Sequence, residues 1–169
     1  DDIPSGIELD ASGKPTGRLL RLDAWLAERV GVSAPSLQKI GAQLSSFGIT
    51  GVTDATHNLG AGRAELLRQA VRNGSLPQSL TLLGVNDEER SSVEGWATVG
   101  PIKILVDEVV GLDVDLLAKQ IEGHHGVGRA VAIHAVSRAE TVTVVTALAL
   151  AGMMPGDRIE HGSVLPTDL

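Results

Sequence analysis

Two histidines stand at the ends of short predicted strands in the last third of the chain. Residues 131–134 and 158–161 read as strands, and the segment between them has the length of a helix. In a parallel sheet, such a strand–helix–strand unit returns the chain beside its starting strand with the same ends aligned. The spacing therefore predicts that His134 and His161 lie side by side at the carboxyl edge of a sheet, where α/β folds gather metal and catalytic groups.

A lysine lies inside the preceding predicted strand, residues 102–106. A buried ammonium group is costly, so Lys103 requires an anionic partner, a neutral state or a chemical modification. Asp107 and Glu160 are the acidic candidates for an ion pair. Reaction with carbon dioxide would instead turn the amine into an anionic oxygen ligand, and oxygen and imidazole ligands together suit zinc and similar ions.

The other histidines have simpler interpretations. A single histidine in a strand more often forms hydrogen bonds in a core than binds a metal. Two histidines at matching strand ends, His134 and His161, instead favour metal binding. His124 and His125 fall late in a predicted helix, where the helix dipole favours a cation, and we expect both at the surface. His57 follows an earlier predicted strand, and we interpret it as a polar loop residue. At the end of a strand it could also line the edge of the sheet where His134 and His161 are predicted.

Composition narrows the function classes. The chain has 169 residues, a formal net charge of −7, 43% hydrophobic residues and only 2% aromatic residues, so aliphatic side chains must fill the core. The acidic balance without a lysine or arginine cluster argues against nucleic-acid binding. The lack of cysteine excludes disulfides and thiolate ligands. The longest apolar stretch, residues 142–154, is too short to cross a bilayer, and we expect a cytoplasmic protein with no membrane partner.

The N-terminal region is predicted to differ from the rest of the chain. Residues 1–18 are polar and rich in glycine and proline, which indicates turns within a small hairpin or an extended arm. Apolar spacing then predicts one helix over residues 19–30, and a second helix that Ser33 caps and Gly48 ends. We assign residues 1–47 to this arm with its two helices, and residues 48–169 to an α/β domain.

From residue 49 onward, predicted strands alternate with predicted helices. The strands cover residues 49–54, 80–85, 102–106, 131–134 and 158–161, and the helices cover residues 61–72, 113–123 and 139–152, with short helical turns in 86–94. This alternation predicts an α/β fold with a parallel sheet and right-handed crossovers. Leu66 occupies the place of the third small residue of a dinucleotide-binding loop, so the glycines at 60 and 62 do not predict such a site.

Five short segments stand in order along nearly the whole chain. They are GKPTGRL (13–19), GITGVTDATH (48–57), GPIKILVDE (100–108), VAIHAVSR (131–138) and DRIEHGSVLP (157–166). Together they resemble the amidohydrolase superfamily, and most closely the branch that contains N-substituted formamide deformylase. The resemblance implies a metal-dependent hydrolase on a (β/α)8 TIM-type barrel, of which this chain would supply about strands two to six. It also implies that a carboxylated Lys103, His134 and His161 are catalytic metal ligands on strands four, five and six.

The activity that this resemblance implies is hydrolysis of an amide or other non-peptide C–N bond in a small molecule. Water activated by one or two divalent ions, with zinc as the first expectation, would carry it out. The sequence contains no His-x-His pair such as the family has on its first strand, and it ends after the sixth. We therefore expect a fragment that is inactive alone and that can form homo-oligomers through exposed sheet edges.

Two further interpretations stay open from the sequence. The chain could be a half-barrel module that binds a ligand or a partner without catalysis. It could also be a flavodoxin-like, doubly wound domain in which the histidines are structural.

Overall fold

The computed structural model describes residues 4–20, 22–31, 35–108 and 111–165. The chain divides into two compact units, Asp1–Ser36 and Leu37–Leu169. The second predicted helix belongs to the second unit, and Ser33, its predicted cap, lies outside the described residues. None of the helices in the described ranges is long and apolar enough to span a bilayer.

The first unit contains a hairpin and one helix. Strands β1 (Ile7–Leu9) and β2 (Pro15–Leu19) pair in the antiparallel sense, which confirms the hairpin prediction. The carboxylate of Asp10 accepts two backbone N–H groups within the turn between them. Helix α1 (Asp23–Val30) then begins later than predicted, because Leu19 pairs with Ile7 instead of starting the helix.

The second unit alternates strands with helices, as the sequence predicts. Its elements are α2 (Leu37–Ser46), β3 (Gly51–Asp54), α3 (Ala61–Arg72), β4 (Ser79–Leu82), a 3₁₀ helix (Asp87–Val93), β5 (Thr98–Val99), β6 (Ile102–Leu105), α4 (Val114–Gly126), β7 (Val131–Ala135), α5 (Arg138–Ala151) and β8 (Arg158–His161). The α/β class is confirmed, and the two-residue strand β5 is the element that the sequence prediction lacks.

All strand pairs of the second unit are parallel. One group has the order β3-β4-β5 and the other has the order β6-β7-β8. A backbone hydrogen bond joins β6 to the end of the β3-β4-β5 group: the N–H of Lys103 donates at 3.0 Å to the carbonyl of Leu83, the residue after β4. In the described residues, these strands do not close into a barrel.

One face of the β6-β7-β8 sheet is packed against helices. Alternate residues of β6 and β7, among them Ile104 and Ile133, form a fully or nearly buried cluster with Ile121 of α4 and Val144 of α5. Because side chains alternate along a strand, the intervening residues face the opposite side of the sheet. That second face receives the polar residues of the candidate site.

A buried acid–histidine pair lies at the amino end of the same strands. Nε2 of His125 is 3.1 Å from Oδ1 of Asp157, and the two side chains expose only 12% and 6% of their surface. The prediction that His125 is a surface residue is therefore wrong. An ionised carboxylate only accepts hydrogen bonds, so Nε2 of His125 carries the proton. His124 is less covered, with Nδ1 at 3.7 Å from Oδ2 of Asp87, and it too contacts an acid instead of standing free at the surface.

The carboxylate of Asp157 also holds the backbone. It accepts the N–H of Val131 at 3.0 Å and the N–H of Met154 at 2.7 Å. Burial raises the pKa of Asp157, but these two hydrogen bonds and the one from His125 outweigh it, so the pKa lies below its usual value. Asp157 thus fixes the starts of β7 and β8 relative to α4.

Replacement of Asp157 by asparagine should destabilise the protein by about 2 kcal/mol at pH 7, because an amide cannot accept all three hydrogen bonds. A carboxyl with a lowered pKa stabilises the fold fully above its unfolded pKa of about 4 and loses this effect as the pH falls through the folded value. The difference between wild type and D157N should therefore shrink below about pH 4. Urea denaturation across pH measures it, with D115N on the exposed start of α4 as a control that should change little.

Gly84 is the second residue after the core strand β4 and is buried. A Cβ at this position would collide with the carbonyl oxygen of Thr56 and crowd the N–H of Leu59 at 2.9 Å. Gly84→Ala should therefore cost about 2–3 kcal/mol of stability. Gly62→Ala in α3, where a Cβ meets nothing within 4 Å, should be neutral or gain up to about 1 kcal/mol. Equal denaturation midpoints for the two variants would contradict this packing.

Candidate functional site

The two strand-end histidines are in contact. His134 lies on β7 and His161 ends the adjacent β8, and their ring centroids are 4.6 Å apart with the planes crossing at 73°. Both stand at the carboxyl ends of paired parallel strands. The juxtaposition that the spacing predicts is confirmed.

The backbone of His161 departs from the strand to reach this contact. In the register of β7 and β8, His134 lies opposite Glu160, and His161 lies opposite Ala135. Regular alternation would therefore turn His161 to the helix-covered face. Its φ of +74° is in the left-handed region, which is uncommon for a residue other than glycine and costs about 1 kcal/mol or more. The strand ends in this turn, and the imidazole meets His134.

Lys103 lies on the same face of the sheet, on the neighbouring strand. It exposes 4% of its surface and pairs in register with Ala132, two residues before His134. The negative charge of Glu160 attracts the ammonium group, but the close ion pair that the carboxylate of Glu160 forms is with Arg158, at 2.6 Å between Nε and Oε1. Lys103 is therefore a buried amine with only partial electrostatic compensation.

Burial lowers the pKa of both Lys103 and His134. The pKa of Lys103 is lowered by desolvation, with the attraction of Glu160 and the repulsion of Arg158 as smaller effects. The pKa of His134 is also lowered, first by desolvation and then by the charges of His161 and Lys103, against an opposing effect of Glu140. Both shifts favour the neutral forms, and the neutral imidazole is the one that binds metals.

Glu160 is a closer part of the site than the sequence indicates. In the register of the sheet, Glu160 of β8 lies opposite His134 of β7, and His134 lies opposite Leu105 of β6. From the sequence, Glu160 is predicted only as an ion-pair candidate for Lys103. The alternation of β8 is the signal that could have placed its carboxylate on the face that carries His134.

His57 approaches the site from the other strand group. Its Nδ1 is 2.9 Å from the carbonyl oxygen of Lys103. Since a carbonyl only accepts, Nδ1 donates this hydrogen bond. His57 thus touches the backbone of β6, so it is more than a loop residue with no tertiary role, and its ring is available at the margin of the site.

Glu140 is a buried acid near the site, and it is not among the site residues predicted from the sequence. It exposes 7% of its surface, and its carboxylate accepts the N–H groups of Val136 at 2.8 Å and Ser137 at 3.0 Å. A longer bond, 3.4 Å, comes from the N–H of Glu108. The pattern Ser-x-x-Glu at residues 137–140 is a capping box, and this signal could have identified it.

The residues that the structure describes include no group of three His, Cys, Asp or Glu side chains placed to hold a metal ion. The candidate site therefore offers two imidazoles in contact and, as a third group, the amine of Lys103.

Comparisons with known proteins do not show a family for this chain. The chain matches no protein-family model, no curated protein and no solved structure.

Replacement of Lys103 by methionine separates the cost of the buried charge from its packing. Methionine has a similar length and no charge, so Lys103→Met should stabilise the metal-free chain by about 1 kcal/mol. The exposed Lys119→Met on α4 is the matched control and should shift the unfolding free energy by less than about 0.5 kcal/mol. A loss of stability in K103M would show that the attraction of Glu160 exceeds the cost of burial.

Proposed function

We propose that this chain is part of the catalytic domain of a metal-dependent amidohydrolase. The reaction is hydrolysis of an amide or other non-peptide C–N bond in a small molecule. The observation that carries the proposal is the contact of His134 with His161 at the carboxyl ends of adjacent parallel strands, with Lys103 on the same face of the next strand. In this proposal β3, β4, β6, β7 and β8 correspond to strands two to six of a (β/α)8 barrel.

The chemistry of the three residues fits a divalent ion such as zinc. His134 and His161 supply imidazole nitrogen. The neutral amine of Lys103 can attack carbon dioxide, which forms a C–N bond, releases one proton and leaves a carbamate. This change replaces a poorly compensated buried cation by an anionic oxygen ligand. When bound, the ion would polarise the substrate carbonyl and lower the pKa of a water molecule.

The neighbouring side chains suit a small substrate with an apolar substituent. Leu105 exposes 52% of its surface and lies level with His134 in the sheet register. An apolar side chain beside polar ligands is the usual composition of a small-molecule site. N-acyl and N-formyl amines combine a hydrolysable carbonyl with such a substituent, and we propose them as the substrate class.

The proposal requires further ligands from outside these 169 residues. The sequence contains no His-x-His pair, which the amidohydrolase resemblance places on the first strand. The chain alone would then hold three ligands of a larger set, and we propose that it is inactive in isolation. The test must use the protein as its gene encodes it.

Metal analysis of that protein, combined with an assay across N-acyl and N-formyl amines, tests the function. The wild type should contain zinc or a similar ion and hydrolyse at least one of these amines. His134→Asn and His161→Asn should each lower both metal content and kcat/KM, the latter by about 100-fold or more, because each removes a ligand. His124→Asn, a histidine that contacts Asp87 and not the site, is the control and should retain both.

A protein that binds no divalent ion and hydrolyses none of these amines after zinc is added would overturn the proposal. The same result would favour the half-barrel binding module. Retained metal and activity in H134N and H161N would contradict the assignment of the two ligands even in an active enzyme.

A further inference from the structure

Glu140 connects the segments that follow two neighbouring strands. Its Oε2 accepts the N–H groups of Val136 and Ser137, directly after β7, and its Oε1 accepts the N–H of Glu108, three residues after β6. Burial alone would raise the pKa of this carboxyl, but the backbone N–H groups outweigh burial, so the pKa is lowered and the group is an anion. A buried anion with three backbone donors is a rigid connection.

The segment after β7 also holds the segment after β8. The N–H of Gly162 donates to the carbonyl of Ala135 at 3.0 Å, and the N–H of Val164 donates to that of Val136 at 3.1 Å. Thr141, the residue after Glu140, donates its hydroxyl to the carbonyl of Val164 at 3.3 Å. The chain on the carboxyl side of each of the two histidines is thereby fixed to one network.

We propose that Glu140 is a positioning residue, which holds these strand ends so that the imidazole of His134 faces that of His161. In the described residues no hydrogen bond joins it to either ring, and it acts through the backbone N–H groups of Val136 and Ser137, which directly follow Ala135. Its catalytic meaning rests on the proposed function, whereas the ring contact itself belongs to the metal-free chain.

The competing explanation is that Glu140 only caps a helix. Ser137 and Glu140 form a reciprocal capping box at the start of α5, and the N–H of Glu140 donates to Oγ of Ser137 at 3.1 Å. A capping residue stabilises the first turn by about 1 kcal/mol and need not affect the histidines. Ser137→Ala removes the cap hydroxyl at the same helix start and leaves the carboxylate, so it is the matched control.

The test is solution NMR of the metal-free, 169-residue chain with labelled histidine. Two quantities are measured: the nuclear Overhauser effect between the rings of His134 and His161, and the hydrogen-exchange rates of the Val136 and Ser137 amides. Glu140→Gln should strongly weaken the ring contact and speed exchange of both amides by about tenfold or more, for two reasons. An uncharged amide oxygen is a weaker acceptor for the N–H groups of Val136 and Ser137 than the carboxylate, and the NH2 group at the other position cannot accept the N–H of Glu108. Ser137→Ala should retain the ring contact.

Glu140→Asp keeps the charge and the preference for a helix start, and it serves if Glu140→Gln fails to fold. Its carboxylate is one methylene shorter, so it should lose the ring contact while α5 persists by circular dichroism. A full ring contact in a folded E140Q or E140D would overturn the proposal. So would an equal loss of contact in S137A, since helix capping would then explain the effect.

These outcomes are separate from the fate of the proposed function. An absence of metal and activity in the gene-encoded protein refutes the hydrolase but leaves the NMR result unaffected. An unchanged ring contact in E140Q refutes the positioning role but leaves the metal and activity results unaffected.

Discussion

The parallel register of β6, β7 and β8 is the constraint on which the rest of the site depends. It places Ile104, Ile133 and Ile159 in one row, and the helices α4 and α5 cover the side to which this row belongs. Polar residues of the same strands are then left on the other side, in rows that run across the sheet. Lys103 pairs in register with Ala132, and His134 is two residues further along that strand. The two side chains therefore lie on the same side of the sheet because side chains alternate along a strand, and not because they attract each other.

Buried charge is distributed between the two ends of this sheet in different ways. At the amino end, Asp157 receives three hydrogen bonds and is fully used in holding structure. At the carboxyl end, Glu140 has the same kind of role, since backbone N–H groups stabilise its anion. Lys103 is different, because desolvation dominates its environment and its compensation is partial. A buried group that structure does not fully stabilise is a more informative indicator of function than one that it does.

The sequence predicted the order of strands and helices because that order depends on local periodicity and on turn residues. The segments around His134 and His161 were predicted almost residue for residue, and the geometry of a βαβ unit brings the two residues to the ends of adjacent strands. The contact of their rings also depends on the left-handed backbone of His161, which the sequence pattern did not predict. Features that depend on distant partners were not predictable in this way. His125 is covered because Asp157, far along the chain, folds back onto it, and no local pattern reports such a contact.

Two other differences have local causes. Leu19 satisfies helical spacing and strand spacing equally well, and pairing with Ile7 decides in favour of the strand. Glu140 carried a recognisable capping signal, but the signal predicts only a helix start and says nothing of the N–H groups of Val136 and Glu108. Local rules therefore identified the element, and only the assembled chain revealed what its first turn holds.

The left-handed backbone of His161 changes the number of functional side chains that one short strand can direct to one face of the sheet. An extended strand offers every second side chain to a given surface, so a four-residue strand such as β8 offers two. The reversal at its final residue breaks this parity and delivers consecutive side chains, Glu160 and His161, toward one compartment. A carboxylate and an imidazole thus become neighbours although the strand is no longer than four residues. The edge of the sheet carries more functional groups, and the cost is one residue with a strained backbone.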